Sequence, residues 1–140
     1  MSYTINEIKE KIAALPSMCA LNPEDFSEEG GLADCLVYDF DKKEIRGDLK
    51  ITQLRKVFNE LKSIYRRVKK GKNEEDNFDR KDVSKLLTML AYSCGRELIP
   101  KDFYEIMKIC ITEKIKNVKD FRRFVELLSA VIAYYKLEKA

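Results

Sequence analysis

Residues 51–72, which read ITQLRKVFNELKSIYRRVKKGK, contain the repeat that decides the fold. Apolar side chains recur in this stretch at intervals of three and four residues, as Ile51, Leu54, Val57, Phe58, Leu61, Ile64, Tyr65 and Val68. That spacing is typical of an α-helix that packs one side against a core. We expect Thr52 to help cap the helix at its start, and Gly71 with the polar residues after it to end the helix.

The N-terminal third of the chain gives weaker signals. Residues 4–15 place apolar side chains on one side of a short helix that Pro16 would end. Residues 16–31 contain an Asn-Pro pair and two glycines, and we interpret them mainly as loop. Residues 32–44 favour a second helix, although β-branched and aromatic side chains within them leave a strand as the alternative.

Three more helices are predicted in the second half of the chain. The first covers about 79–94, and Gly95 is placed to form its C-terminal cap. The second has Pro100 in its first turn and runs to about residue 115. The third follows Asn117, a capping residue, and carries Asp120 near its positive N-terminus.

The last helix is apolar on most sides beyond Phe124, so we expect it to lie at the centre of the fold. The short connections between the later helices favour antiparallel neighbours. A composition of 45% hydrophobic and 36% charged residues, with 5 Gly and 3 Pro, agrees with a globular helical protein. We therefore predict a compact all-α bundle of five or six helices in a single domain, 1–140, in which residues 1–31 form a less regular acidic extension.

Membrane insertion and secretion are not expected from the sequence. No run of about 18 uncharged apolar residues occurs, which is the length a membrane-spanning helix requires. The N-terminal stretch MSYTINEIKEKIAALP carries charges where a signal peptide has an apolar segment. We expect a cytoplasmic protein with no membrane partner.

The side chains that usually carry catalysis are scarce. The chain has no histidine, the commonest general base and metal ligand. Its four cysteines stand apart with no CxxC spacing, and we interpret them as reduced, mainly buried thiols. An enzyme that holds a metal with the acids between 74 and 79 is another possible function, but this segment lacks the residue pattern of a calcium-binding loop. We predict no enzyme activity, no cofactor and no metal; the four acids concerned are Glu74, Glu75, Asp76 and Asp79.

Charge is distributed unevenly along the chain. Residues 1–48 hold five basic and eleven acidic side chains, whereas residues 49–72 hold nine basic side chains and one acid, Glu60. Residues 73–140 are nearly balanced, with thirteen basic and twelve acidic side chains. The positive charge is therefore a local feature of the helix predicted at residue 51.

On a helical wheel, Arg55, Lys62, Arg66 and Lys69 fall within roughly 60° of one another. This row spans about 20 Å at a rise of about 1.5 Å per residue, and its cations could each neutralise a phosphate. Three further cations of the segment lie beside the row or further round the helix: Lys56, Arg67 and Lys70. A solvated surface and a docking surface for an acidic protein are the alternatives. No base-reading motif occurs, so a nucleic acid would be held by its backbone with little sequence preference.

Three stretches resemble one protein family, in order and with similar spacing. They are LKITQLRKVFNELKSIYRRVKKGK at 49–72, LAYSCGR at 90–96 and DFRRFVELLSAVIAYYK at 120–136. These resemble the small helical subunit of type III-A CRISPR–Cas effector complexes, the Csm complex, over roughly residues 48–137. Members of that family commonly have histidine where this chain has Tyr135.

The resemblance implies a non-catalytic scaffold in antiviral defence. Copies of such a subunit stack with one another and with other subunits, and they contact the backbone of guide RNA and target RNA. The matching positions that the resemblance makes candidates for RNA contact are Lys50, Gln53, Arg55 and Lys56, followed by Arg96, Lys119, Arg122, Arg123 and Lys136.

Several of these candidates also have structural interpretations. Gln53 could support the start of its helix, Arg96 could cap a helix C-terminus, and Arg122 and Arg123 could pair with Glu126. Aromatic side chains could stack on bases, but their helical spacing favours a place in the core; they are Tyr92, Phe121, Phe124, Tyr134 and Tyr135. The competing function is a helical adaptor whose basic patch docks an acidic protein and never meets nucleic acid.

Overall fold

The structure, a computed structural model, describes residues 3–47, 49–70, 73, 76 and 80–139. Its described residues form seven α-helices and one two-stranded hairpin, which confirms the all-α fold class. The helices are α1 (Ile5–Ala14), α2 (Pro23–Ser27), α3 (Leu32–Val37), α4 (Ile51–Lys69), α5 (Lys81–Gly95), α6 (Lys101–Ile109) and α7 (Val118–Lys139). The count exceeds the predicted five or six because short helices form in the N-terminal third.

The start of the chain is more regular than the sequence indicates. Thr4 and Glu7 form a reciprocal capping box at α1, in which each side chain accepts a hydrogen bond from the other residue's backbone N–H. Residues 16–31, predicted mainly as loop, are half helical, because a 3₁₀ turn at Met18–Ala20 and α2 occupy half of the segment. Pro23 starts α2, where its missing N–H costs no hydrogen bond.

The second predicted helix is wrong in its second half. Helix α3 ends at Val37, and the chain turns back as the antiparallel pair β1 (Tyr38–Asp39) and β2 (Glu44–Ile45). The carboxylate of Asp39 accepts hydrogen bonds from the backbone of Asp41 and Lys42, which stabilises the turn in place of a helix. The strand alternative is the one observed here.

Helix α4 is confirmed from Ile51, but its N-cap is Lys50 and not Thr52, which lies one residue inside the helix. The apolar stripe is buried at Leu54, Val57, Leu61, Ile64 and Val68. The predicted end signals at Gly71 and most of the polar residues after it lie outside the described residues.

The sequence predicts Gly95 as the C-terminal cap of α5, but Gly95 is the last residue of the helix and Arg96 is the cap. The left-handed conformation falls instead on Glu97, with φ 61°. Backbone bonds from Glu97 N to Cys94 O and from Leu98 N to Ser93 O then close the helix as a Schellman motif.

The helix predicted from Pro100 to about 115 has two parts. Pro100 is the N-cap of α6, and after Ile109 the chain continues as a π-helical turn, Cys110–Lys114. The side chain of Arg80 donates hydrogen bonds to the carbonyls of Ile111, within this turn, and Ile115, just after it, at 2.6 and 2.8 Å.

Helix α7 lies at the centre of the fold, as predicted. Asn117 caps it by accepting a hydrogen bond from Asp120 N at 2.9 Å. Phe121, Phe124 and Leu127 are fully buried along it, and α7 packs against α2, α3 and α4. One contiguous apolar core results, and it includes N-terminal side chains such as Ile8.

The long helices pack antiparallel. On the α4–α5 side, Arg67 near the end of α4 lies 3.6 Å from Asp82 at the start of α5, while Gln53 and Ser93 meet at the opposite ends. No helix among the described residues combines the length and apolar character needed to cross a bilayer.

Candidate nucleic-acid interface

The basic side chains of α4 form one exposed surface, which we call the α4 basic face. Its members are all exposed: Lys50 at the N-cap, then Arg55, Lys56, Lys62, Arg66, Arg67, Lys69 and Lys70. The buried stripe of α4 holds the opposite side of the helix against the core. The apolar periodicity of α4 therefore turns these eight cations toward solvent.

Acids in the described part of the chain neutralise few cations of the α4 basic face. Arg67 is paired with Asp82 at 3.6 Å. The single acid of α4, Glu60, pairs with Lys85 of α5 at 2.9 Å. Its charge is therefore directed to α5 and not to the α4 basic face. Within residues 3–47, 49–70, 73, 76 and 80–139, no carboxylate forms an ion pair with Arg55, Lys62 or Arg66.

Two cations of the face rest on aromatic rings of the same helix. The ammonium of Lys62 lies 5.2 Å from the ring centroid of Phe58, and that of Lys69 lies 5.2 Å from the ring centroid of Tyr65. Such cation–π contacts are weak at exposed sites and leave the cation able to move to a stronger anionic partner.

Helix α7 brings further cations to the N-terminal end of the α4 basic face. A shallow groove of about 260 Å³ is lined by Ile51 and Arg55 of α4 and by Tyr135, Lys136 and Lys139 of α7. The Tyr135 hydroxyl donates to Leu49 O at 2.9 Å, which fixes the end of α7 beside the start of α4. Lys139 was not predicted; its position three residues after Lys136, on the same side of a helix, is the signal that could have found it.

Arg96 is exposed at the C-terminal end of α5. Its guanidinium carbon lies 5.7 Å from the ring centroid of Tyr92, and one of its nitrogens donates to the Tyr92 hydroxyl at 3.3 Å. The loop after Arg96 is joined to the α4 basic face, because Lys50 N donates to Leu98 O at 3.1 Å. Tyr92, with 64% of its surface exposed, is the predicted aromatic residue that remains open to a ligand.

Gln53 and Arg123 carry structural contacts. The amide oxygen of Gln53 accepts a hydrogen bond from the Ser93 hydroxyl at 3.1 Å, which joins α4 to α5. Arg123 pairs with Glu126 at 3.1 Å and also donates to the carbonyls of Cys19 and Leu21. These contacts agree with the structural interpretations of both residues, and Arg123 is only 15% exposed.

The other two candidates in the first turns of α7, Lys119 and Arg122, are half-buried. They lie about 20–25 Å along the helix from Lys136. The predicted set thus divides between a continuous exposed surface at α4 and a partly buried group at the start of α7. Among the predicted aromatics, Phe121, Phe124 and Tyr135 are buried in the core, and Tyr134 is half-buried.

The cysteines are free thiols, and two of them are poor nucleophiles. Burial raises the pKa of Cys110 to about 12. Burial and a hydrogen bond with Asp120 raise the pKa of Cys19 to about 11. Both thiols therefore stay protonated at neutral pH, whereas nucleophilic catalysis requires the thiolate.

The acids proposed as a metal site are described only at Asp76. Its carboxylate accepts a hydrogen bond from Asn73 N at 3.0 Å, and its carbonyl accepts one from Val118 N at 3.1 Å. Glu74, Glu75 and Asp79 lie outside the described residues. In the described part of the chain, no group of three or more acidic or cysteine side chains is arranged to hold a metal ion.

Comparison with known proteins gives one consistent answer. The model of the Csm2 type III-A family matches residues 39–140. The CRISPR system protein Csm2 of Streptococcus thermophilus is 32% identical over 124 residues, covering 85% of this chain and 95% of the relative. No solved structure gives a significant match. The exposed basic helix, the helical fold and the two sequence matches agree, and the chain belongs to the Csm2 family of type III-A CRISPR systems.

Proposed function

We propose that this chain is a non-catalytic small subunit of a type III-A CRISPR effector complex in the cytoplasm, and that it binds RNA by the sugar–phosphate backbone. The observation that carries the RNA-binding part is the convergence of Arg55 from α4 with Lys136 and Lys139 from α7 around one groove. Membership of the Csm2 family supports the assignment to the complex.

Electrostatics supports an anionic ligand at the α4 basic face. Like charges on successive turns of a helix repel one another and lower its stability. Arg55, Lys62 and Arg66 have no ion-pair partner among the described residues, so this repulsion is not relieved within the chain as described. A row of phosphates would relieve it and would release condensed counterions on binding.

The proposed contacts carry little sequence information. Arg and Lys side chains that meet phosphates position a nucleic acid without reading its bases. The RNA ligands are guide RNA and target RNA, single-stranded or paired with each other. Sequence selection then comes from base pairing, and the chain itself contributes a scaffold that contacts other subunits and further copies of itself.

The predicted residues take different parts in this proposal. The α4 basic face with Arg96 and Lys136 contacts RNA directly, and Lys139 joins them. Gln53 supports the face from behind through Ser93. Lys119, Arg122 and Arg123, at the other end of α7, are secondary contacts.

The test is a salt titration of RNA binding. Changing Arg55, Lys62 and Arg66 together to Ala should lower the slope of log K against log salt by about 2–3 units. The matched control changes Lys101, Lys108 and Lys116, three exposed cations outside the face, to Ala. Fluorescence anisotropy with a labelled single-stranded RNA gives the slopes, and circular dichroism verifies that both variants stay folded.

Equal slopes for the two triple variants would contradict the proposal, because binding would then depend only on net charge. Binding of an acidic peptide but of no RNA at low salt would favour the adaptor function instead. A loss of helical content in the Arg55, Lys62 and Arg66 variant would show that these side chains stabilise the fold.

A further inference from the structure

A second and larger groove lies between the middle of α4 and the middle of α7, and α2 closes one side of it. Its volume is about 650 Å³. We call it the α4–α7 groove. The rings of Phe58 and Tyr65 line it from α4, and small side chains at Ser129 and Ala133 of α7 leave the space open. Both rings are only half-buried, so apolar surface remains available there.

The rim of the groove is basic on the α4 side. Lys62 and Arg66 line it, and both belong to the α4 basic face. A phosphate held by these two cations would therefore lie directly beside the aromatic floor. The one acid that lines the groove, Glu126, is already paired with Arg123 at 3.1 Å. The net charge offered to an occupant from that side is therefore positive.

The Phe58 ring is covered in the free protein. The ammonium of Lys62 lies over it, 5.2 Å from the ring centroid. A phosphate is a stronger partner for an ammonium than an aromatic face, since a cation–π contact at an exposed site is weak. When Lys62 turns to a phosphate at the rim, the face of Phe58 becomes free to stack.

We propose that the α4–α7 groove receives an unpaired nucleobase of the RNA strand whose phosphates Lys62 and Arg66 hold. The inference rests on the proposed function and adds a base-binding subsite to it. A nucleobase has the required chemistry, because its apolar faces fit an aromatic floor while its polar edge can meet the Ser129 hydroxyl. Continuity with the α4 basic face favours this occupant, since base and phosphate belong to one nucleotide.

Stacking on an aromatic side chain tolerates any base, so the subsite adds affinity without sequence preference. Loss of one stacked base typically costs about 1–3 kcal/mol, which corresponds to roughly 5–150-fold in affinity. The subsite also predicts a preference for single-stranded over fully paired RNA, since a base inside a duplex cannot enter the groove.

The experiment compares a labelled RNA with an abasic oligonucleotide of equal length and charge. Both are titrated against the unmodified chain and against a double variant, Ser129→Leu with Ala133→Leu, which fills the groove from two exposed positions with aliphatic side chains. Ala13→Leu, at an exposed position of α1, is the matched control. None of these changes alters a charge, so salt-dependent phosphate binding is preserved.

The expected result is that the unmodified chain binds RNA about 10-fold more tightly than the abasic strand, and that filling the groove removes this preference. Affinity for the abasic strand should stay the same in all three proteins. Equal affinity of the unmodified chain for both ligands, or a preference that survives filling, would overturn the base subsite while leaving the proposed function intact. If neither ligand binds at low salt, both proposals fail. Normal RNA binding together with loss of the filled variant from the assembled effector complex would assign the groove to a protein partner and overturn the subsite.

Discussion

The N-terminal region, residues 3–47, and the α4 basic face use charge in opposite ways. Around the N-terminal region, cations are bound to backbone carbonyls: Arg46 donates to Cys35 O at 2.5 Å, and Lys114 donates to Ala13 O and Leu15 O at 2.9 and 2.7 Å. On α4 the cations face solvent, and Arg55 and Lys62 have no ion pair among the described residues. A basic residue is thus a stronger candidate for binding where the fold leaves its charge without a partner.

Some acids, like the cations around the N-terminal region, are bound inside the fold. Asp120 is 2% exposed, and its two carboxylate oxygens accept hydrogen bonds from Cys19 N and Lys116 N, both at 3.0 Å. A carboxylate that is satisfied in this way contributes to the fold and is closed to ligands. In the N-terminal region, Asp34 is also fully buried and accepts a hydrogen bond from Gly30 N at 2.8 Å, so part of the acid surplus of that region lies inside the molecule.

The largest expected effect tests whether the N-terminal region belongs to the core. Leu32 of α3 is fully buried, although it lies before residue 39, where the match to the family model begins. Leu32→Ala should lower the free energy of unfolding by about 2–5 kcal/mol through lost burial and a residual cavity. Urea unfolding measures this, with Leu137→Ala as the control at a half-exposed position. If Leu32→Ala lowers the free energy of unfolding no more than the control does, the N-terminal region does not belong to the core.

An intermediate effect separates structural from functional lysines. Lys114→Ala leaves two carbonyls without their donor and should lower the free energy of unfolding by about 1–3 kcal/mol without weakening RNA binding. Lys62→Ala removes the same charge from an exposed position and should change stability by less than about 0.5 kcal/mol while weakening RNA binding. Thermal unfolding and anisotropy on the same two samples give both quantities. Similar behaviour of the two variants would remove the distinction between inward and outward charge.

The smallest effect concerns a pair of acids between α3 and α7. A hydrogen bond to Asp34, together with burial and the negative charges of Asp34 and Glu29, raises the pKa of Glu138 to about 7. Asp34 is fully buried, and its Oδ1 accepts no hydrogen bond in the described part of the chain. We expect a proton shared between Glu138 and Asp34 to supply a donor for this oxygen.

Because this pKa is higher in the folded than in the unfolded chain, the folded state binds more protons between about pH 4.5 and 7. The contribution of Glu138 to stability therefore falls as the pH rises through that window. Glu138→Gln keeps a donor at every pH and should flatten the dependence of Tm between pH 5 and 8. An unchanged pH profile in this variant would mean that the pair shares no proton.

Periodicity predicted the long helices well because each buries a continuous stripe, as α4 does from Leu54 to Val68. It failed where a few local contacts decide the backbone, as in the turn held by Asp39 and the left-handed cap at Glu97. The exposed cations of α4 follow directly from that periodicity. The grooves do not, because they depend on the antiparallel pairing of α4 with α7, whose facing residues are up to almost ninety positions apart in the sequence.

The bonds that fasten the N-terminal region also set the order in which the chain can fold. Lys114 and Asp120 each reach a backbone group 101 residues earlier in the sequence, and Arg123 reaches Cys19 across 104. Contacts between residues so far apart in the sequence form late in folding, because the entropy of loop closure opposes them until the intervening chain is already compact. Helix α1 packs against α6 and α3, so during synthesis its apolar side stays uncovered at least until α6 has left the ribosome. Helix α1 is thus made well before α6 can cover it, and we expect chaperones to bind its exposed apolar side in the nascent chain.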